Sequence, residues 1–123
     1  MTARRELGDF GERVAAHRLE AAGLRVIERN VRVPAGEIDL VAVEGDDVVF
    51  VEVRTRRGEP GGAAESLSAT KLRRMWACAM QYCAREQIDP ARARIDAVTV
   101  DLGWGRQRTT FDHFRGLEVP GED

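Results

Sequence analysis

Three acids and one arginine stand where a strand ordinarily carries apolar or neutral side chains. They are Glu37, Asp39, Glu52 and Arg54, within the stretch GEIDLVAVEGDDVVFVEVRTR from Gly36 to Arg56. Asp, and more weakly Glu, are depleted from strands. Carboxylates directly opposite on neighbouring strands have Cβ atoms about 4.5–5.5 Å apart. At 4 Å and an effective dielectric near 20 their repulsion is about 4 kcal/mol. Solvent can screen such a pair, one acid can keep its proton, or a cation can bind between them. Mg²⁺ suits the last role, because it takes one or two carboxylates and keeps several waters. Those waters and open positions are what phosphate chemistry uses.

The strands decide whether these acids meet. Gly36 to Val43 and Asp47 to Thr55 read as strands, with Glu44-Gly45-Asp46-Asp47 as the turn between them. A two-residue loop at Gly45-Asp46 sets Asp39 opposite Glu52, Glu37 opposite Arg54 and Val41 opposite Phe50. A one-residue slip would mix polar and apolar faces, so the pattern itself favours this register. Ile38, Leu40 and Ala42, with Val49, Val51 and Val53, then share an apolar face. The other face begins apolar at the turn and ends charged. Leu24 to Val33 reads as the preceding strand, joined by the turn Val33-Pro34-Ala35-Gly36. It extends the charged face, with Asn30 opposite Asp39 and Arg32 opposite Glu37. On spacing alone a solvated polar face, with Glu37–Arg54 as a cross-strand ion pair, is an equal alternative.

Two helices flank the strands. Glu6 to Ala22 places Leu7, Phe10, Val14, His17 and Ala21 on one stripe, and Gly23 stops it. Glu12 lies at the far edge of that arc, beside Ala15 and Leu19. Ser68 to Glu86 has Ser68 as N-cap and Leu72, Met75, Trp76, Ala79, Met80 and Cys83 as its buried face. Cys78 and Cys83 point roughly 140° apart at about 100° per residue, which reads as two free thiols. Arg56 to Glu65 is a Gly- and Pro-rich loop whose composition predicts mobility. Arg94 to Leu102 and Arg108 to Phe114 complete the strands, and the tail 116–123 frays. An Arg94–Asp96 ion pair is not expected, since the two share a face without facing each other closely. Trp104, between two glycines, either packs over the sheet or stacks on a base.

The whole chain has 123 residues, which suits one domain. It is 43% hydrophobic and 33% charged, as a soluble globular protein is. No apolar run approaches a membrane span, and no leader is recognised, so a cytoplasmic place is expected. The formal net charge of −2 argues against coating nucleic acid by bulk charge, though not against a local basic patch. Of 19 Lys plus Arg, only Lys71 is a lysine. It either brings an amine to the acids or contacts phosphate with Arg73 and Arg74.

The motifs GEIDLVA and VFVEVRTR resemble the YraN family of small bacterial proteins. So, more weakly, do GERVAAHRLEAAGLRVIERNVR, KLRRM and RIDAVTV. That family is placed in the PD-(D/E)XK nuclease superfamily, with restriction endonucleases and Holliday-junction resolvases. The resemblance implies an α/β fold with a restriction endonuclease-like core, a mixed sheet flanked by helices in the order α-β-β-β-α-β-β. It implies a single nuclease-like domain over 1–123 that hydrolyses phosphodiester bonds with Mg²⁺ or Mn²⁺. Asp39 and Glu52 match the metal-binding acids, and Glu12 the additional helical acid of the resolvase-like branch. Arg54 stands at the signature lysine. Arginine is always protonated and cannot act as a general base, but it can hold phosphate oxygens. Arg32, Arg56, Arg57, Lys71, Arg73 and Arg74 are the expected nucleic-acid contacts, to DNA rather than RNA. A homodimer is left open. The rival reading is a nucleic-acid-binding module on the same fold without catalysis.

Overall fold

A computed structural model of the chain describes residues 3–106 and 108–121. The elements are α1 (Ala3–Ala21), β1 (Arg25–Val33), β2 (Gly36–Glu44), β3 (Asp47–Arg57), α2 (Gly62–Glu65), α3 (Ala69–Glu86), β4 (Ala93–Leu102) and β5 (Thr110–Phe114). A 3₁₀ turn, Pro90–Arg92, leads into β4. The strands form one five-stranded sheet in chain order. Only β3 and β4 run parallel, and α2 and α3 lie in the crossover between them. The result is a mixed sheet flanked by helices, in the expected order.

Glu44 pairs with Asp47 and Leu40 with Val51, the register expected from alternation and the turn. Gly45 opens that turn at φ +59, which suits glycine at the first position of a type II′ hairpin. In the first hairpin Val33 pairs with Gly36 and Arg32 with Glu37, as expected, and a bulge falls only beyond Glu28.

The apolar residues fill two layers rather than one. Val41, Val48 and Phe50 meet Cys78, Ala79, Tyr82 and Cys83 of α3. Leu40, Ala42, Val49 and Val51 meet Ala15, Ala16 and Leu19 of α1. Each large aliphatic or aromatic side chain so buried stabilises the fold by about 1.5–3 kcal/mol. Both helices sit differently from their sequence stripes. In α1 the buried positions are Gly11, Ala15, Ala16 and Leu19, while Phe10 is 38% exposed and His17 lies outside. Small residues let the helix approach the sheet closely, and the larger Phe10–Val14 stripe is turned aside. In α3, Trp76 is 37% exposed and Cys78 and Tyr82 take the core positions. Both cysteines are buried free thiols. Ser68 caps α3 by accepting the Lys71 N–H.

Candidate active site

The β2–β3 ladder ends at Leu40 and Val51, and the next residues along are Asp39 and Glu52. There the strands part. The Asp39 carboxyl turns onto β3, where its Oδ2 accepts the Val53 N–H at 2.8 Å, and it is also hydrogen-bonded to Glu52. Strict alternation breaks at this point. Ile38 packs with the α3 layer and Leu40 with the α1 layer, so the two do not share a face as their spacing implied. The Glu37–Arg54 ion pair of the alternative reading is not formed. Glu37 instead meets Arg32 across the first hairpin at 3.5 Å.

Burial pushes the Asp39 carboxyl up to about 9. The hydrogen bond to Glu52 and the charges of Glu52 and Glu12 act in the same direction, and the Val53 amide opposes them. A proton kept on Asp39 is the expected remedy for like charges held this close in a half-buried setting. Partial burial also raises Glu12, helped by Glu37 and Asp9, while Asn30 and Arg29 oppose.

Asn30 and Gly11 place Glu12. Asn30 lies across from Asp39, between the pairs Val31–Ile38 and Arg29–Leu40. Its φ is +51, a left-handed conformation inside a strand, and its side chain hydrogen-bonds Glu12. Asn tolerates that region better than most residues, and such strain gathers at functional sites. At Gly11 the α1 backbone runs against Thr55 of β3. A Cβ there would lie 1.9 Å from Thr55 Oγ1. Only glycine lets the helix seat with Glu12 beside the pair. A glycine inside a helix costs about 1 kcal/mol relative to alanine, and that cost is the sequence signal for close contact.

The acids open into a cleft of about 620 Å³. Glu12, Asp39 and Glu52 line one side, and Arg54, Arg56 and Arg57 continue along β3. Arg54 donates from Nε to Ser66 Oγ at 2.9 Å, and Ser66 donates to the Ala63 carbonyl. Gly62–Glu65, in the segment read as a loop, is a helical turn whose first amides are held by buried Asp101. Its carboxylate accepts the Ala63 N–H at 2.7 Å and the Gly61 N–H at 3.2 Å. Burial and the charges of Arg54, Arg74 and Arg56 lower the Lys71 amine, while Glu52 opposes. Lys71 and Arg74 thus stand within the electrostatic reach of the arginines beside the acids without lining the cleft. Of the expected nucleic-acid contacts only Arg56 and Arg57 line the cleft, and Arg32, Lys71, Arg73 and Arg74 do not.

Among the described residues, no three His, Cys, Asp or Glu side chains gather tightly enough to enclose a metal ion. Two carboxyls do meet, at the floor of an open cleft. A hard cation that takes one or two carboxylates and fills its shell with water and phosphate oxygens fits such a pair. It would replace the proton on Asp39.

Asp96 pairs with Val51, next to Glu52, but its carboxyl enters an ion network that spacing argued against. It is fully buried, and accepts from Arg94 Nε at 3.0 Å and Nη2 at 3.1 Å. His113 Nε2 at 2.8 Å and the Gly116 N–H at 2.9 Å complete it. Arg94 folds back along its own strand and also reaches Glu44 and Asp47. Through Arg94 the cluster ties the β2–β3 turn to β4 and the end of β5, and it shares no contact with Asp39 or Glu52.

Fold and site define a small α/β protein with a carboxyl pair at the floor of a basic-walled cleft. The uncharacterised protein family UPF0102 matches residues 11–100, from Gly11 through the hairpins and α3 to Val100. The UPF0102 protein of Paenarthrobacter aurescens is 40% identical over 118 residues, 95% of this chain and 97% of that one. That of Symbiobacterium thermophilum is 47% identical over 100 residues, covering 80% and 85% of the two chains. That of Chloroflexus aurantiacus is 42% identical over 123 residues, covering 99% and 98%. The chain belongs to the UPF0102 family, the YraN-like family its hairpin resembles. The names of these relatives carry no activity.

Proposed function

We propose that the chain is a Mg²⁺- or Mn²⁺-dependent nuclease that hydrolyses phosphodiester bonds in DNA or structured nucleic acid, in the cytoplasm. The observation that carries the reading is the half-buried Asp39–Glu52 carboxyl pair, hydrogen-bonded to each other and open to a cleft lined by arginines. When bound there, a divalent cation supplies Lewis acidity and a water reactive at neutral pH. Asp39 and Glu52 would hold it, with Asp39 giving up its proton. Glu12, steadied by Asn30, faces the pair and takes part in its charge balance. Arg54, held by Ser66, stabilises charge developing on the phosphate. Arg56 and Arg57 engage phosphates further along the strand, and Lys71 and Arg74 add to the positive field.

One observation favours a second reading, a binding module without catalysis. The signature lysine position holds Arg54, which cannot accept a proton and whose Nε is engaged by Ser66. Cleavage of single-stranded, duplex and branched DNA and RNA with Mg²⁺ and Mn²⁺, beside Asp39→Asn and Arg54→Lys, tests both. Cleavage lost in Asp39→Asn sustains the nuclease. Binding without cleavage, converted to cleavage by Arg54→Lys, sustains the module. Cleavage that survives Asp39→Asn sinks the proposed site.

A further inference from the structure

We infer that Trp104, backed by Arg57, is a stacking platform for an unpaired nucleobase, so that the cleft takes a single strand or a locally opened duplex. This rests on the phosphodiester reading of the cleft.

Trp104 stands in the turn between β4 and β5, with Gly103 before it and Gly105, at φ +57, after it. It is 60% exposed, more than any other large hydrophobic residue among those described. The Arg57 guanidinium lies over its ring, 4.9 Å from the centroid. Arg57 also lines the acidic cleft. With Leu7 it is shared by a second hollow of about 480 Å³, lined further by Glu6, Phe10, Leu102, Gly103 and Thr109. The two hollows therefore share Leu7 and Arg57 at the end of β3, and the indole, which lines neither, stands beside the second through Arg57 and Gly103.

Every base has a π face, so stacking on an aromatic side chain is sequence-tolerant, and arginine adds a cation–π contribution. A base inside a duplex is already stacked on both faces and offers none to Trp104. Five residues separate Glu52 from Arg57, about 16 Å at about 3.3 Å per residue. A stacked strand rises about 3.4 Å per nucleotide, so the platform meets a base about five nucleotides from the phosphate at Glu52, and fewer where the strand is stretched.

The test uses Trp76→Phe protein, in which Trp104 is the remaining tryptophan. It is titrated without divalent metal with a fluorescein-labelled oligothymidylate of roughly ten nucleotides, the matching abasic strand and a blunt duplex. Anisotropy reports occupancy and tryptophan emission reports stacking. Oligothymidylate should quench Trp104, and the abasic strand should not at equal occupancy. Trp104→Ala should weaken oligothymidylate binding about 10-fold, within what one aromatic–base stack contributes, and Trp104→Phe should recover most of it. Unchanged binding in Trp104→Ala, equal quenching by the abasic strand, or no single-strand binding by the parent would overturn the platform. Cleavage assays on the same strands separate the two ideas. Quenching by a protein that cuts nothing keeps the platform and sinks the nuclease. Cleavage indifferent to Trp104→Ala sinks the platform alone.

Discussion

The carboxyl of Asp39 is hydrogen-bonded to that of Glu52 at the point where β2 and β3 stop pairing. Asp39 also accepts the Val53 N–H, the first β3 amide beyond Glu52. The parting of the strands thus creates the site, and one carboxyl fills the gap in the ladder.

The pair makes metal-free stability fall with rising pH. The Asp39 pKa rises from 3.8 to about 9 on folding. Between those values the native state holds a proton that the unfolded chain releases, so stability is fully present below about pH 4 and is lost as pH rises toward 9. Thermal melts in EDTA should show Tm falling from pH 5 to pH 9. Asp39→Asn can keep the Val53 contact without the charge. It should flatten that slope and melt above the parent at pH 8.5. A parent Tm that rises over this range contradicts the protonated pair.

Asn30 should separate backbone strain from its hydrogen bond. Asn30→Ala places an ordinary residue at φ +51, which costs about 1–2 kcal/mol. Asn30→Gly accepts that φ and should cost less than half as much. Both remove the amide from Glu12, so both should lower cleavage and shift its pH profile in the direction of a higher Glu12 pKa. Full activity with an unshifted profile in Asn30→Gly would show that the amide does nothing for Glu12.

Gly11→Ala replaces a poor helix former with the best, a change worth about 1 kcal/mol in an open helix. Here the methyl meets Thr55, so the variant should instead lose stability, measured by urea unfolding. Thr55→Ala in the same chain removes the Oγ1 it strikes and should restore part of the loss. A stabilised Gly11→Ala single variant would contradict the close seating of α1.

Asp96→Asn should be among the most damaging single changes in the sheet. It replaces the fully buried carboxylate that Arg94, His113 and the Gly116 N–H share with a neutral amide, while Glu44 and Asp47 still face Arg94, and a loss of about 1.5–3 kcal/mol is expected for hydrogen bonds to a charged group. The Asp96 carboxyl is held below its ordinary range by Arg94, Gly116 and His113 against the effect of burial. Its contribution is therefore present above the usual carboxylate pKa and is lost as pH falls below it. Chemical denaturation at pH 7 and pH 3 should show the gap between parent and Asp96→Asn closing at the lower pH.

The second hairpin is legible in the sequence because a period of two and a two-residue turn over-determine its register. That register by itself sets Asp39 beside Glu52. The break in alternation at Asp39 and the left-handed Asn30 are not legible, since both arise from competition between strand pairing and side-chain bonds at one position. The α1 stripe misleads because it counts large apolar residues, while the sheet is met by Gly11, Ala15 and Ala16, whose value lies in being small. Arg94–Asp96 escapes a spacing argument because same-strand spacing describes Cβ positions, and a long guanidinium can fold back over them. The Asp101 clamp on Gly61 and Ala63 joins residues about 40 apart, and nothing local announces it.

Calorimetric titration of Mn²⁺ at pH 7.5, repeated in buffers of different ionisation enthalpy, bears most directly on the central claim. If Asp39 and Glu52 hold the cation in place of their proton, binding releases about one proton per Mn²⁺. Asp39→Asn then abolishes both the tight binding and the buffer dependence. Mn²⁺ binding with no proton release, or of equal affinity in Asp39→Asn, would contradict the claim that this carboxyl pair is the cation site.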